Sequence, residues 1–476
     1  MQPALRDTSD RMKLSRLLFL TTLALAAQLS AADSPRPNIV FLLADDLGHH
    51  DVGFTGGKEI KTPHLDALAS GGARLDAFYV QPVCSPTRAA FLTGRYPSRH
   101  GLQTGVVRPW AQYGLPIEER TLAQGLREAG YATAIVGKWH LGHFQPEYLP
   151  TRRGFDRQYG HYNGALDYFT HIRDGGHDWH RDDRENHDEG YSTHLLAKEA
   201  VRVIKERDKA KPLFLYVPFN GVHTPLQVPD NYLESYAHLS GRRRTYAGMI
   251  AALDEAVGQI VGAIREEGLQ RDTLFVFSSD NGGPGPGKLS DNGPLRAGKG
   301  TLYEGGVRVA ALAAWEGQIK PGTVVTQPLH IVDWYPTLLK LAGGKLDQPL
   351  PLDGRDAWAT IASGAPSPHD EILLNTTPTG GAIRVGDWKL VVNGAAKDNE
   401  EEGDEQKPAR KKGTAKVELF NLANDLSEKE NLAAANPGKV EELRARLAVY
   451  AKEAVPPKLR PKAPGFRTPK VWGQAE

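Results

Sequence analysis

The 476-residue chain holds one cysteine, Cys84. An internal disulfide framework is therefore excluded, since every bridge consumes two thiols. Neither sign of charge dominates, with 58 Lys and Arg against 57 Asp and Glu. That argues against a dedicated nucleic-acid binder, which needs a marked basic excess. It leaves room for a local basic pocket that takes an anionic substrate. Long apolar runs are scarce too. The segment 17–25 is too short for a spanning helix, and no other segment reads as one. No internal repeat is visible.

The length suits one large domain with a smaller companion, and it is ample for a substantial core. Residues 11–32 read as a secretory signal. Arg11, Lys13 and Arg16 are its basic start, 17–25 its apolar centre, and Ser30-Ala31-Ala32 its small-residue cleavage site. The expectation is an exported protein, periplasmic or secreted, with no membrane attachment after signal cleavage.

Apolar runs of strand length at 38–44, 131–136, 213–219, 273–278 and 307–315 alternate with helical patterns at 121–130, 192–207 and 247–267. This alternation predicts an α/β layered domain over 33–366. After that the character changes. Residues 383–392 and 417–420 read as antiparallel strands, and 437–453 as a closing helix. A small C-terminal domain is expected over 367–455. Its charged stretch 397–416 reads as a disordered insertion. Residues 456–476, rich in Pro and Lys, read as an extended tail.

Several residues in loops after predicted strands could carry chemistry. Asp45-Asp46 follows the first strand, and Asp280-Asn281 a later one. Ligands of α/β sheets gather at the carboxyl ends of strands. Adjacent carboxylates there repel unless a cation neutralises them. Three carboxylates and an amide offer only oxygen, which suits Ca²⁺ or Mg²⁺ rather than zinc. Lys138 and His140 stand two apart, and an extended segment would point both to one side. His223 and Lys299 lie in comparable loops. A lone cysteine is either a buried small hydrophobe or a reactive group.

The run Cys84-Ser85-Pro86-Thr87-Arg88, followed by Leu92-Thr93-Gly94-Arg95, resembles the signature of the type I sulfatases. So do Gly137-Lys138-Trp139-His140 and the two acidic turns. Within that family the motif spread is similar to the arylsulfatase B branch, N-acetylgalactosamine-4-sulfatase. The resemblance implies an alkaline-phosphatase-like fold with a mixed, mostly parallel sheet and a small antiparallel C-terminal sheet. It also implies that a formylglycine-generating enzyme oxidises Cys84 to formylglycine, whose hydrate is the nucleophile. Asp45, Asp46, Asp280, Asn281 and the modified Cys84 side chain would face a calcium ion, or magnesium. Arg88, Lys138 and Lys299 would stabilise the sulfuryl charge, and Lys138, His223 and Lys299 would bind sulfate. His140 is the candidate base and His223 the candidate acid. The scarcity of cysteine sets the chain apart from the animal enzymes and implies a bacterial exported form.

The segment 165–187 departs from the family pattern. Asp167, His177, Trp179 and His180 there are expected to read a sulfated saccharide, with Trp179 stacking on a sugar face; the alternative is a solvated surface loop. Two other functions stay open: phosphate or phosphonate ester hydrolysis, and catalytically silent glycan binding.

Overall fold

The computed structural model describes residues 36–394 and 415–474. The secretory segment expected over 11–32, and residues 397–414 of the charged insertion, lie outside the described residues.

Short apolar runs build a ten-stranded sheet. Its order is Thr323–Val325, Ala73–Leu75, Ala311–Ala314, Thr273–Ser279, Asn38–Ala44, Leu213–Pro218, Ala132–Lys138, Arg157–His161, His180–Arg181 and Arg184–Glu185. The central strands from Thr273–Ser279 to Arg157–His161 are parallel. Their neighbours on both flanks turn antiparallel. Parallel strands need crossover helices, so both faces are covered. Asn38–Ala44 shows the result, because its alternate residues feed different cores. Ile39, Phe41 and Leu43 pack with helices Cys84–Thr93, Leu122–Glu128 and Trp334–Leu341. Val40, Leu42 and Ala44 pack with Ser192–Lys205 and Gly241–Glu266.

Local chemistry sets the ends of these elements. Thr121 and Gln124 form a reciprocal capping box at the start of Leu122–Glu128. The helix Gly241–Glu266 begins well before the expected Ala247. By length and composition it could cross a membrane, which corrects the sequence reading. Its Ile250, Leu253, Val257, Ile260 and Ile264 are nevertheless buried in the sheet's second core. The strand expected over 307–315 also shrinks. Glu304–Val307 is a helical turn, and only Ala311–Ala314 pairs as strand. The turn is pinned by the Glu304 carboxylate, which lies 2.8 Å from Lys389 Nζ.

Strands Glu371–Thr377, Gly380–Val385, Trp388–Val392 and Val417–Asn421 form a second, antiparallel sheet. Helix Pro437–Glu453 packs on it through Leu443 and Leu447. Leu373, Ile383 and Leu390 share one buried cluster with Phe41, so a continuous core joins the two sheets.

Candidate active site

The carboxyl ends of the parallel strands deliver most of the site. Asn38–Ala44 runs into Asp45-Asp46, Thr273–Ser279 into Asp280-Asn281, and Ala132–Lys138 ends on Lys138 itself. His223 follows Leu213–Pro218 after a short loop. Close packing of these ends constrains the backbone. A Cβ on Gly137 would stand 1.9 Å from the Pro218 carbonyl oxygen, and one on Gly282 would stand 1.7 Å from that of Gly305. Asp46 and His140 adopt left-handed φ angles of 61° and 58°. Such non-glycine strain is held only where the surroundings over-determine it. The turn at His140 also breaks the extended geometry expected from Lys138 onward.

Cys84 opens the helix Cys84–Thr93, and Arg88 lies one turn on along the same face. The Cys84 thiol donates to Asp45 Oδ1 at 3.4 Å. Arg88 Nη2 donates to Asp280 Oδ2 at 2.7 Å and to Asp45 Oδ2 at 3.3 Å, while Nη1 donates to the Lys138 carbonyl. Lys138 Nζ reaches Asp45 Oδ2 at 2.5 Å. Lys299 Nζ lies 3.0 Å from Asp46 Oδ2 and 3.1 Å from His223 Nε2. Asn281 Nδ2 donates to Asp46 Oδ1 at 2.7 Å. One buried network thus unites Asp45, Asp46, Cys84, Arg88, Lys138, His223, Asp280, Asn281 and Lys299.

His140 joins through residues the sequence reading did not single out. Ser85 Oγ donates to the His140 carbonyl and accepts from Val107 N–H. The His140 ring meets the Val107 carbonyl through Nε2 at 3.1 Å. A carbonyl only accepts, so Nε2 carries the proton and Nδ1 is the basic nitrogen. Nothing in the loop 103–113 carries a motif; only tertiary contact reveals its role. Thr87 sits off the reacting side, with its hydroxyl tied to the Gln81 backbone.

Three carboxylates here face three cations in a buried site. Burial pushes the Asp45 carboxyl upward, but Lys138, His223 and Arg88 hold it well below the ordinary carboxylate range. Burial and the Asp45 charge push Asp280 up to about 6. Burial, then the charges of Asp280 and Asp45, raise the Cys84 thiol well above its usual value. An unmodified Cys84 is therefore a neutral thiol at pH 7 and a poor nucleophile. The residues fit a divalent cation. Asp45, Asp46, Cys84 and His223 offer ligand atoms within 4.8 Å of one another. Asn281 Oδ1 is buried with no hydrogen-bond partner among the described residues. A mainly oxygen donor set suits a hard ion.

The structure corrects the expected substrate loop. Trp179 is fully buried, sandwiched against His171 with centroids 4.4 Å apart and edge-on to Tyr159. His180 is buried too, stacked on Tyr162 and bonded to Asp178. Neither can present a face to a sugar; both are packing residues. Asp167 accepts from Phe169 N–H, Thr170 N–H and the Gln227 amide, which makes it a turn-forming group. His177 is half-buried, with Nε2 on the Asn186 carbonyl and its ring stacked on His187.

The sulfatase family model matches residues 37–344. The chain belongs to the sulfatase family. Arylsulfatase J of Mus musculus is 38% identical over 473 residues, spanning 91% of this chain and 79% of that protein. Arylsulfatase A of Homo sapiens is 38% identical over 378 residues, spanning 74% and 72%. Among solved structures, Ps i-CgsB in complex with k-i-k-neocarrahexaose matches at 32% identity and a TM-score of 0.79, covering 89% of this chain and 94% of that one. PsFucS1 sulfatase from Pseudoalteromonas sp. matches at 27% and 0.73, covering 95% and 96%. The sulfatase is a sulfuric ester hydrolase of type I with the alkaline-phosphatase-like fold, and its C-terminal sheet is antiparallel.

Proposed function

We propose that this sulfatase removes sulfate from sulfated sugars, with a formylglycine at position 84 and a calcium ion, or magnesium, among Asp45, Asp46, Asp280 and Asn281. The observation that carries the reading is the placement of Cys84. It opens a buried helix beside Asp45, and Arg88, Lys138, Lys299, His223 and His140 converge around it. A thiol held neutral cannot attack sulfur, whereas an oxidised, hydrated side chain supplies a nucleophilic oxygen there. Cys84 is fully buried, so a modifying enzyme reaches Cys84-Ser-Pro-Thr-Arg88 only before folding. The cation would offset the carboxylates and polarise the sulfate oxygens.

Arg88, Lys138 and Lys299 form a fixed positive cradle for an anionic transition state, in a place where low dielectric makes each charge count. In this reading His223 gives its proton to the departing sugar oxygen, and His140 takes one from the side chain of residue 84. Support for a sugar substrate comes from a neighbour solved with k-i-k-neocarrahexaose and from relatives named N-acetylgalactosamine-6-sulfatase. The arylsulfatase B-like motifs point the same way. The segment 11–32 supports export.

Mass spectrometry of the tryptic peptide containing residue 84 tests the chemistry. The aldehyde or its hydrate is expected, and intact thiol alone in fully active enzyme overturns the reading. A panel of defined sulfated saccharides, assayed for released sulfate, tests the substrate class.

A further inference from the structure

The mechanism leaves the last segment of the chain without a role. Between Pro456 and Gln474 it carries Lys458, Arg460, Lys462, Arg467 and Lys470, and no acidic residue. Composition suggests an extended tail, and the structure docks it at both ends. Val455 and Lys458 donate their N–H groups to the carbonyls of Ser98 and Gly101. Trp110 Nε1 donates to the Arg460 carbonyl at 3.2 Å, and Lys462 Nζ stands 5.4 Å over the Trp110 ring. Farther on, His177 N–H donates to the Lys470 carbonyl, and Trp472 N–H donates to that of His177. Trp472 is buried, edge-on to His143, with Nε1 on the Arg173 carbonyl. Gly473 lies so close to Tyr162 that a Cβ would stand 2.5 Å from its ring.

These anchors bracket the reaction site. His140 is held from two sides, its ring on the Val107 carbonyl and its N–H on the Tyr162 carbonyl. The strap touches the Trp110 loop on the Val107 side and Tyr162 itself on the other. It therefore spans both segments that clasp the candidate base. Its charges face outward. Arg460, Arg467 and Lys470 are exposed, and none of them pairs with a carboxylate among the described residues. The acidic groups of the adjoining hairpin are engaged elsewhere: Asp174 with Arg173, Asp182 with Gln158 N–H, Asp183 with Thr151, Glu185 with His187, and Asp188 with Tyr159.

We propose that this docked basic strap is a binding site for further anionic groups of the substrate, so that the enzyme takes multiply sulfated oligosaccharides rather than isolated sulfated sugars. The inference rests on the glycan reading above and narrows it. A rim of unpaired cations binds a polyanion additively and in a salt-dependent way.

The test is the triple variant Arg460→Glu/Arg467→Glu/Lys470→Glu, which leaves every buried anchor in place. Its activity on 4-nitrophenyl sulfate should equal that of the parent, which establishes an intact site. On a multiply sulfated oligosaccharide at low salt, kcat/KM should fall roughly tenfold, the order that a few exposed charge contacts supply. The difference should vanish at high salt. Retention on immobilised heparin reads the strap without turnover, and the variant should elute at lower salt than the parent. Co-elution of the two proteins overturns the proposal, as does an unchanged kcat/KM on the oligosaccharide. Parent enzyme that cleaves aryl sulfate but no sulfated saccharide would instead overturn the glycan reading, while the retention result still decides the strap.

Discussion

Lys299 Nζ stands 3.1 Å from Nε2 of His223, and this contact assigns the imidazole a tautomer. His223 Nδ1 lies 2.7 Å from the Thr224 carbonyl, which only accepts, so Nδ1 carries the hydrogen. Nε2 is then the nitrogen that faces the cationic cradle, and the one that must be protonated before it can serve a leaving oxygen. If His223 is the acid, its loss matters most where the leaving group is a poor one. His223→Gln is expected to lower kcat/KM about 10²- to 10⁴-fold on an alkyl or sugar sulfate. The loss on an aryl sulfate with an acidic phenol should be much smaller. Equal losses on both would make His223 a sulfate-binding residue only.

Asn281 offers the cleanest handle on the cation. Its Nδ2 is occupied by Asp46, while its buried Oδ1 has no hydrogen-bond partner among the described residues. Asn281→Ala removes that oxygen without changing the charge balance among Asp45, Asp46, Asp280 and the three cations. Calorimetric titration of chelator-treated protein with Ca²⁺ and with Mg²⁺ should show affinity roughly 10- to 100-fold weaker than in the parent. Chelation of the parent should abolish turnover, and one of the two ions should restore it. Unchanged affinity in the variant would place the ion elsewhere.

The site was more legible in the sequence than its surroundings. Asp45, Asp46, Lys138 and Asp280 each end or directly follow an apolar run of strand length, and the parallel sheet turns that linear pattern into proximity. Cys84–Thr93 escaped notice as a helix because every one of its residues is buried. A helix without a polar face shows no amphipathic period. Trp179 misled for the opposite reason. A tryptophan among His and Asp reads as a wet sugar platform, and only the contacts with His171 and Tyr159 reveal it as core. Val107 and Ser85 were invisible because their part is played by a backbone carbonyl and a bridging hydroxyl.

Buried neutral histidines should make the enzyme acid-sensitive. Burial, then Arg95 and Lys458, lowers His100 to about 3, and burial lowers His161 to about 3 despite Asp178. Neither ring makes a hydrogen bond among the described residues. The unfolded chain binds these protons near pH 6.5 and the folded one only near 3. Stability is therefore complete above about 6.5 and is lost as pH falls through that window. Each ring forfeits about 1.4 kcal/mol per pH unit below 6.5. Melting temperatures of parent and His161→Phe, measured from pH 7.5 to 4.5, should converge as the pH drops. Parallel curves would show that His161 takes up its proton in the folded state as well.

Lys389 ties the small sheet to the segment that carries Lys299. Its Nζ is fully buried, 2.8 Å from Glu304 Oε1 and 2.9 Å from Glu428 Oε1. Glu304 also accepts from Tyr79, whose hydroxyl takes a bond from Arg384. Although burial opposes it, Lys389 and Arg308 hold the Glu304 carboxyl below its ordinary range, whereas burial keeps Glu428 above it. Glu304 thus has Arg308 as a second cation, 3.4 Å away, whereas Glu428 leans on Lys389. Lys389→Met replaces it with an apolar side chain of similar length and strands a buried carboxylate. Breaking a buried pair in this way costs about 3–5 kcal/mol. Urea denaturation should show that loss as a lower midpoint, and Glu428→Gln in the Lys389→Met background should recover part of it by removing the stranded charge. Because Glu304 sits one short loop after Lys299, the single variant should also lose kcat/KM at temperatures where it is still folded. A variant with the parent's midpoint would mean that water reaches Glu428 and that the triad does not hold the two sheets together.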